Sequence, residues 1–174
     1  MKLGRLIGRI VIGGLFVGHG TQKWFGWFDG PGLDATSGSM EALGMRPGRR
    51  NAIAASASET IGGAMIAAGA LTPAAAAVLI ATMITAIRTV HLKNGLWASK
   101  GGYEFNLALI AGLLALVDGG PGRPSLDAML GNEETGPGWA LAALAVGAAG
   151  SALAIAEGGR HGGEESEGVA EGTV

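Results

Sequence analysis

"AIAASASETIGGAMIAAGALTPAAAAVLIATMITAIRTVH", residues 52–91, decides the fold. Two apolar segments, 52–71 and 73–91, meet there at a Thr-Pro step. Proline has no backbone N–H to leave unpaired, and its fixed φ suits a first helical turn, so Thr72-Pro73 ends one helix and opens the next. The two are predicted to form a tight antiparallel hairpin. Each approaches the ~20 residues that cross a hydrocarbon layer of about 30 Å. That length favours membrane spans over the alternative, a soluble Ala/Gly-rich bundle.

Working outward, three more hydrophobic segments appear, at 3–22, 105–117 and 138–156. The charged "MKLGR" start resembles a secretory signal, but no small-x-small cleavage pattern follows and further apolar blocks do, so 3–22 is read as a first membrane helix. The segment at 105–117 is short for a span, and 138–156 is dominated by alanine and glycine and is expected on the outside of the bundle. The predicted fold is all-α: a polytopic membrane four-helix bundle over residues 1–130, a fifth C-terminal hydrophobic helix over 131–157, and a disordered, acidic, Gly-rich tail over 158–174. Residues 23–51 and 118–137 are rich in turn formers and are read as loops. Small residues four apart, as in Gly4/Gly8, Gly14/Gly18 and Ala143/Gly147, permit close helix contact in lipid.

Composition removes several function classes. A net charge of -2 without a basic tract is not the footprint of a nucleic-acid binder. With no cysteine, the chain has no thiolate nucleophile, disulfide, iron–sulfur ligand or Cys-based zinc site. No metal site is predicted, and two histidines with no fixed separation are a poor haem signature. Any redox role must borrow a cofactor or a substrate such as a quinone.

Depth arithmetic then gathers the polar residues. At about 1.5 Å of rise per residue, with A the N-terminal side of the membrane and B the other, His19 falls about 6 Å inside the B boundary and Lys23 at it. Glu59 falls about 12 Å inside B on the returning helix, and Arg88 and His91 about 8 Å and 3 Å inside B on the next. Glu104 and Asn106 open the fourth helix from the same side. These groups are predicted to gather at one pocket beside "WFGWF", residues 24–28, and Trp97, although Glu104 and Asn106, two apart, point to different sides and are not both expected to face it. Isolated intramembrane charges are costly, which makes them functional candidates. Glu59 and Arg88 can equally form a structural ion pair between their helices, and the aromatic run can equally be a headgroup-level belt. Arg9, near A, is expected to snorkel or to pair with an acid such as Asp118. The positive-inside rule would place B in the cytoplasm.

An arginine near the N-terminus, "GGLFVGHGTQKWFGWF", "ASETIGGAMIAAGALTP", "HLKNGLWASKGGYEFNLALI" and "GPGRPSLD" together resemble the DoxX family of small bacterial membrane proteins, over about residues 3–127. The resemblance implies a four-helix membrane domain in the bacterial inner membrane. Relatives include a subunit of thiosulfate:quinone oxidoreductase, and members are linked to thiol and oxidative-stress systems with sulfurtransferase or superoxide dismutase partners. It also implies His19, Lys23, Glu59, His91 and Glu104 as the polar set, with Asn94, Gly95 and Trp97 shaping the turn into the fourth helix. Arg123 and Asp127 are as easily structural as functional.

The leading expectation is a multi-pass membrane subunit associated with redox chemistry, which binds a quinone or a small sulfur anion and docks a redox-protein partner. Lys23 and Arg88, with Trp24, Trp97, Glu104 and Asn106, would bind the ligand, while His19, Glu59 and His91 would handle protons. The alternative is a non-catalytic membrane scaffold that recruits redox partners through its loops. A transporter would need broken helices and an inverted repeat, neither of which is evident.

Overall fold

Glycine placement sets how the helices meet. A computed structural model describes residues 3–171, with side chains described as far as His161. Its long helices are α1 (Leu3–Phe25), α3 (Gly48–Ala68), α4 (Thr72–Ala86), α5 (Glu104–Gly119) and α7 (Pro137–Glu171), with the shorter α2 (Gly32–Ala42) and α6 (Leu126–Leu130) between them. Residues Ile87–His91 prolong α4 as a π-helical turn. No strand occurs among the described residues.

The hairpin follows the sequence. Gly69 ends α3 in the left-handed region at φ 64°, which glycine enters without a Cβ penalty, and its N–H bonds to Ile66 O at 3.1 Å while Ala70 N–H bonds to Met65 O at 2.9 Å. Pro73 then opens α4. α4 with its π turn (Thr72–Asn94) and the first part of α7 (Pro137–His161) are long and apolar enough to cross a membrane. α1, α3 and α5 are the other hydrophobic segments; polar residues on the first two, Arg9, Ser56 and Glu59 among them, are buried inside the protein.

α1 and α3 form the closest pair. Gly13 and Gly20 of α1 face α3, and Gly63 faces α1, so that a Cβ at Gly63 would stand 2.7 Å from Gly13 O and 2.8 Å from Phe16 Cβ. The glycines singled out by four-residue spacing do not make this contact: beyond Gly4, Gly8, Gly14 and Gly18 there is open space. The buried face of α1 runs through Arg9, Gly13, Phe16 and Gly20, roughly opposite the Gly14/Gly18 row, because residues at i and i+4 share a face and neighbouring residues do not. Ala143/Gly147 does pack closely, against Ala77 and Ile80 of α4. Gly63→Ala is accordingly expected to destabilise by about 1–3 kcal/mol through overpacking. Gly14→Ala should be neutral or gain up to about 1 kcal/mol of helix propensity. Paired thermal melts in detergent check both.

Two loop expectations are corrected. Within 23–51 the chain forms α2, whose Thr36 and Ser37 hydroxyls donate back to Gly32 O and Leu33 O, and which packs on α3. Within 118–137 it forms α6, capped by Ser125 Oγ accepting from Ala128 N–H. α7 lays a stripe through Ala143, Gly147 and Ser151 on α4 and keeps its opposite faces exposed, so it is a wall of the protein rather than an appendage. The stretch read as a disordered tail starts at 158. Its side chains beyond His161, and residues 172–174 altogether, lie outside the described residues.

The core is Phe16, Ile66, Leu79, Ile80, Leu113 and Val117, each at most 1% exposed, where α1, α3, α4 and α5 converge. At the N-terminal end, Arg9 is buried and donates to Pro121 O at 3.0 Å and Pro124 O at 2.5 Å. It neither snorkels nor pairs with Asp118, which is exposed. Those carbonyls belong to the turn that precedes α6, so Arg9 ties α1 to that turn.

Candidate functional site

At the opposite end, the last turn of α1 meets the first half of α3. Glu59 lies on the buried row Ala52, Ser56, Glu59, Gly63 and is 2% exposed. Lys23 reaches it from α1 and donates to both carboxylate oxygens at 2.6 Å. A charge this deep requires such a partner, since an unpaired carboxylate in a low-dielectric interior is strongly disfavoured. Arg88 does not fill that role. It is exposed, on the outward side of the π turn, and the predicted Glu59–Arg88 pair is replaced by Glu59–Lys23.

Beside this pair is a cavity of about 450 Å³ between α2, α3, α4, the π turn and α7. Its walls are mainly Ala, Val, Leu and Met side chains, with Gly150 and Ala154 of α7 supplying one side. Its polar groups are Lys23, Glu59, Asn51, His91, and a set of hydroxyls from Ser58, Thr82, Thr85 and Thr89. Ser58 Oγ and Thr82 Oγ1 lie 2.9 Å apart, and Thr85 Oγ1 reaches Ser151 Oγ of α7 at 3.0 Å. A pocket of this size, largely apolar with a few convergent polar groups, has the character of small-molecule and cofactor sites between helices.

His91 enters the cavity wall from the π turn, a feature that often marks functional positions because it re-aims side chains within a helix. Its Nδ1 stands 2.8 Å from Gly101 O. A carbonyl only accepts, so Nδ1 carries the proton and donates, which leaves Nε2 as the free acceptor of the neutral ring. Asn94 Nδ2 donates to the same carbonyl at 3.1 Å, and Tyr103 N–H bonds to Gly95 O at 3.2 Å. Asn94 and Gly95 thus brace the turn that holds His91.

The structure therefore gathers Lys23, Glu59 and His91 on one cavity and leaves the other candidates outside it. His19 is exposed on the flank of α1 and meets the Phe105 ring edge-on at a centroid distance of 6.2 Å. Trp24 stacks on Phe25 at 5.4 Å, and Trp97 is 61% exposed. Glu104 sits at the N-terminus of α5, where a carboxylate complements the helix dipole. Asn106 is buried and donates to Met83 Sδ at 3.4 Å. Depth gives a residue's level along the bundle but does not say which way its side chain points. The hydroxyl row Thr82, Thr85 and Thr89 was missed, although spacings of three and four residues place it on one face of α4. Among the described residues, no three His, Asp or Glu side chains are grouped to hold a metal ion.

A family model described as DoxX matches residues 4–92, which takes in α1 to α4 and the π turn. No curated protein matches the chain, and no solved structure does.

Proposed function

The chain belongs to the DoxX family, and from that premise we propose that it is a multi-pass membrane protein whose cavity beside Lys23–Glu59 binds a quinone and which docks a partner redox protein. The observation that carries this reading is the cavity itself. Apolar walls and α7 offer room for a ring and part of a hydrocarbon tail, while Lys23 offers a donor, and His91 and the hydroxyl row acceptors, for the oxygen substituents of the ring. The same geometry speaks against the sulfur-anion reading. Among the lining residues Lys23 is the one permanent cation, and both Glu59 oxygens already neutralise it, whereas Arg88 lies outside.

A quinone bound here supplies two-electron, two-proton chemistry. The chain's residues exclude water, hold the ring and stand ready as proton acceptors: His91 through Nε2, and Glu59 whenever Lys23 shifts away. With no cysteine, the chain has no thiol or cluster of its own to pass electrons through, so the partner would take up the two electrons of the reduced ligand as these acceptors take its two protons. In this arrangement Lys23, Glu59 and His91 bind or exchange protons with the ligand. His19, Arg88, Trp24, Trp97, Glu104 and Asn106 have no ligand contact.

The test is saturable binding of decylubiquinone to the purified full chain in nanodiscs, measured against empty discs. Ala154→Leu, which fills the cavity from α7, is expected to weaken binding at least about tenfold, the scale of a steric change in a packed site. Uptake equal to that of empty discs overturns the reading, as does equal affinity in a folded Ala154→Leu protein. A second reading, the scaffold, draws on a different observation: Phe25, Trp27, Phe28 and Trp97 are all more than half exposed at this same end. Such a surface can meet headgroups or a partner without any ligand.

A further inference from the structure

We infer that the cavity is built to receive a hydrogen-bond donor, and therefore holds the hydroquinone in preference to the quinone. This rests on the quinone-site reading above and adds the redox state of the ligand to it.

The inference comes from asking where each polar proton in the wall already goes. Ser58 Oγ has Ala55 O at 2.9 Å and Thr82 Oγ1 has Val78 O at 3.1 Å as acceptors on their own helices. Thr85 Oγ1 donates to Ala81 O and Thr89 Oγ1 to Thr85 O, both at 2.9 Å. A hydroxyl has one proton and two lone pairs; because Ser58 Oγ and Thr82 Oγ1 also bond each other at 2.9 Å and Thr85 Oγ1 bonds Ser151 Oγ at 3.0 Å, every proton of this set goes to a helix carbonyl or to a neighbouring hydroxyl, which leaves lone pairs but no donor for a ligand. His91 follows the same rule, with its Nδ1 proton directed to Gly101 O and Nε2 left as an acceptor. Glu59 is an acceptor by nature. Lys23 has three N–H groups, of which two face the Glu59 oxygens, leaving one. Asn51 directs one amide proton to Pro47 O, which leaves one N–H together with its acceptor oxygen.

The wall is thus rich in acceptors and poor in free donors. A quinone ring presents carbonyl oxygens, which only accept, and would face those acceptors without a proton between them. Its two-electron, two-proton reduction product presents two O–H groups, which donate. Burying acceptor against acceptor leaves both desolvated and unpaired, whereas each O–H matched to Nε2 or a threonine oxygen recovers a hydrogen bond. The difference falls on the oxidised form.

The experiment compares decylubiquinone with its reduced form, under anaerobic conditions, on the full chain in nanodiscs, each corrected for partition into empty discs. The hydroquinone is expected to bind about tenfold tighter, the scale of one net hydrogen bond. Tighter binding of the reduced form raises the midpoint potential of the bound couple by about 30 mV per tenfold. A redox-inert pair isolates the donor requirement: 4-nonylphenol should outcompete 4-nonylanisole. Thr82→Val and Thr89→Val keep side-chain shape, remove an acceptor each, and should narrow both preferences. Equal affinity for the two redox forms, tighter binding of the quinone, or a preference that survives both valine variants overturns this inference and leaves the quinone site standing. Binding of neither form overturns the site itself.

Discussion

Replacing Lys23 with methionine is expected to destabilise the folded protein by about 3 kcal/mol or more, because it strands the carboxylate of Glu59 in the interior. Glu59 is 2% exposed, and both of its oxygens take their hydrogen bonds from Lys23. The cost therefore arises less from a lost attraction than from a charge with no partner and no water. Coupling two changes separates these causes. Lys23→Met together with Glu59→Leu removes both charges and retains comparable volume, so it should recover most of the stability lost in the single variant. Unfolding of the three proteins in detergent, read as a double-mutant cycle, gives the comparison; a double variant no more stable than Lys23→Met shows that the pair does not act by mutual neutralisation. The double variant also separates the functional readings. A quinone site should lose its ligand when its polar contacts become apolar, while a scaffold should go on assembling and recruiting partners.

How much of this was legible beforehand can be traced through particular residues. The α3–α4 hairpin was, because Gly69, Thr72 and Pro73 act locally on the backbone and their effect needs no knowledge of neighbours. The level of each residue along its helix was also legible, since rise per residue converts position in a segment into depth. Azimuth was not. At about 100° per residue Arg88 falls well over 90° away from the buried row Ala76, Leu79, Ile80 and Met83, so depth placed it beside Glu59 while helical phase turned it outward. Glu59 itself shares its phase with Ala52, Ser56 and Gly63, and that agreement marks it as inward.

The glycines carry the same lesson with a different cause. Two four-residue glycine rows on α1 match the spacing of a packing motif, yet α3 docks against Gly13 and Gly20, because the buried arginine and phenylalanine at 9 and 16 decide which face turns inward. Spacing identifies rows, and the largest side chains choose among them. α2 was illegible for a further reason. Gly32, Ser37, Gly38 and Ser39 read as a loop, and the helix there leans on α3 and on hydroxyls that donate to carbonyls four residues back. The cavity is the feature furthest from sequence, since α7 supplies Gly150 and Ala154 to it from about 60 residues beyond the π turn, a tertiary fact that no local pattern encodes.

Asp127→Ala should cost about 3–5 kcal/mol, and the reason lies at the far end from the cavity. Asp127 is 3% exposed, and its carboxylate accepts from Leu71 N–H at 2.7 Å, Thr72 N–H at 3.0 Å and the Thr72 hydroxyl at 2.6 Å. These are the amides at the start of α4, which no residue within that helix can satisfy and whose partial positive charge a carboxylate complements. In return Asp127 N–H donates to Gly69 O at 2.8 Å, so α6 clasps both sides of the hairpin turn. Arg9 completes the clasp: it is attracted to Asp127 and holds the turn before α6 through Pro121 O and Pro124 O. Truncating Asp127 leaves the buried Thr72 amide and the part-buried Leu71 amide without their acceptor and removes a negative charge that attracts Arg9. Asp127→Asn retains an acceptor oxygen and should lose roughly half as much. Because this cluster lies at the opposite end of α4 from His91, ligand affinity measured below the melting temperature of each variant should stay at the wild-type value. A variant that melts like wild type would show that α4 needs no cap from α6. One that stays folded but loses quinone binding would show instead that the "GPGRPSLD" segment acts on the site through α4.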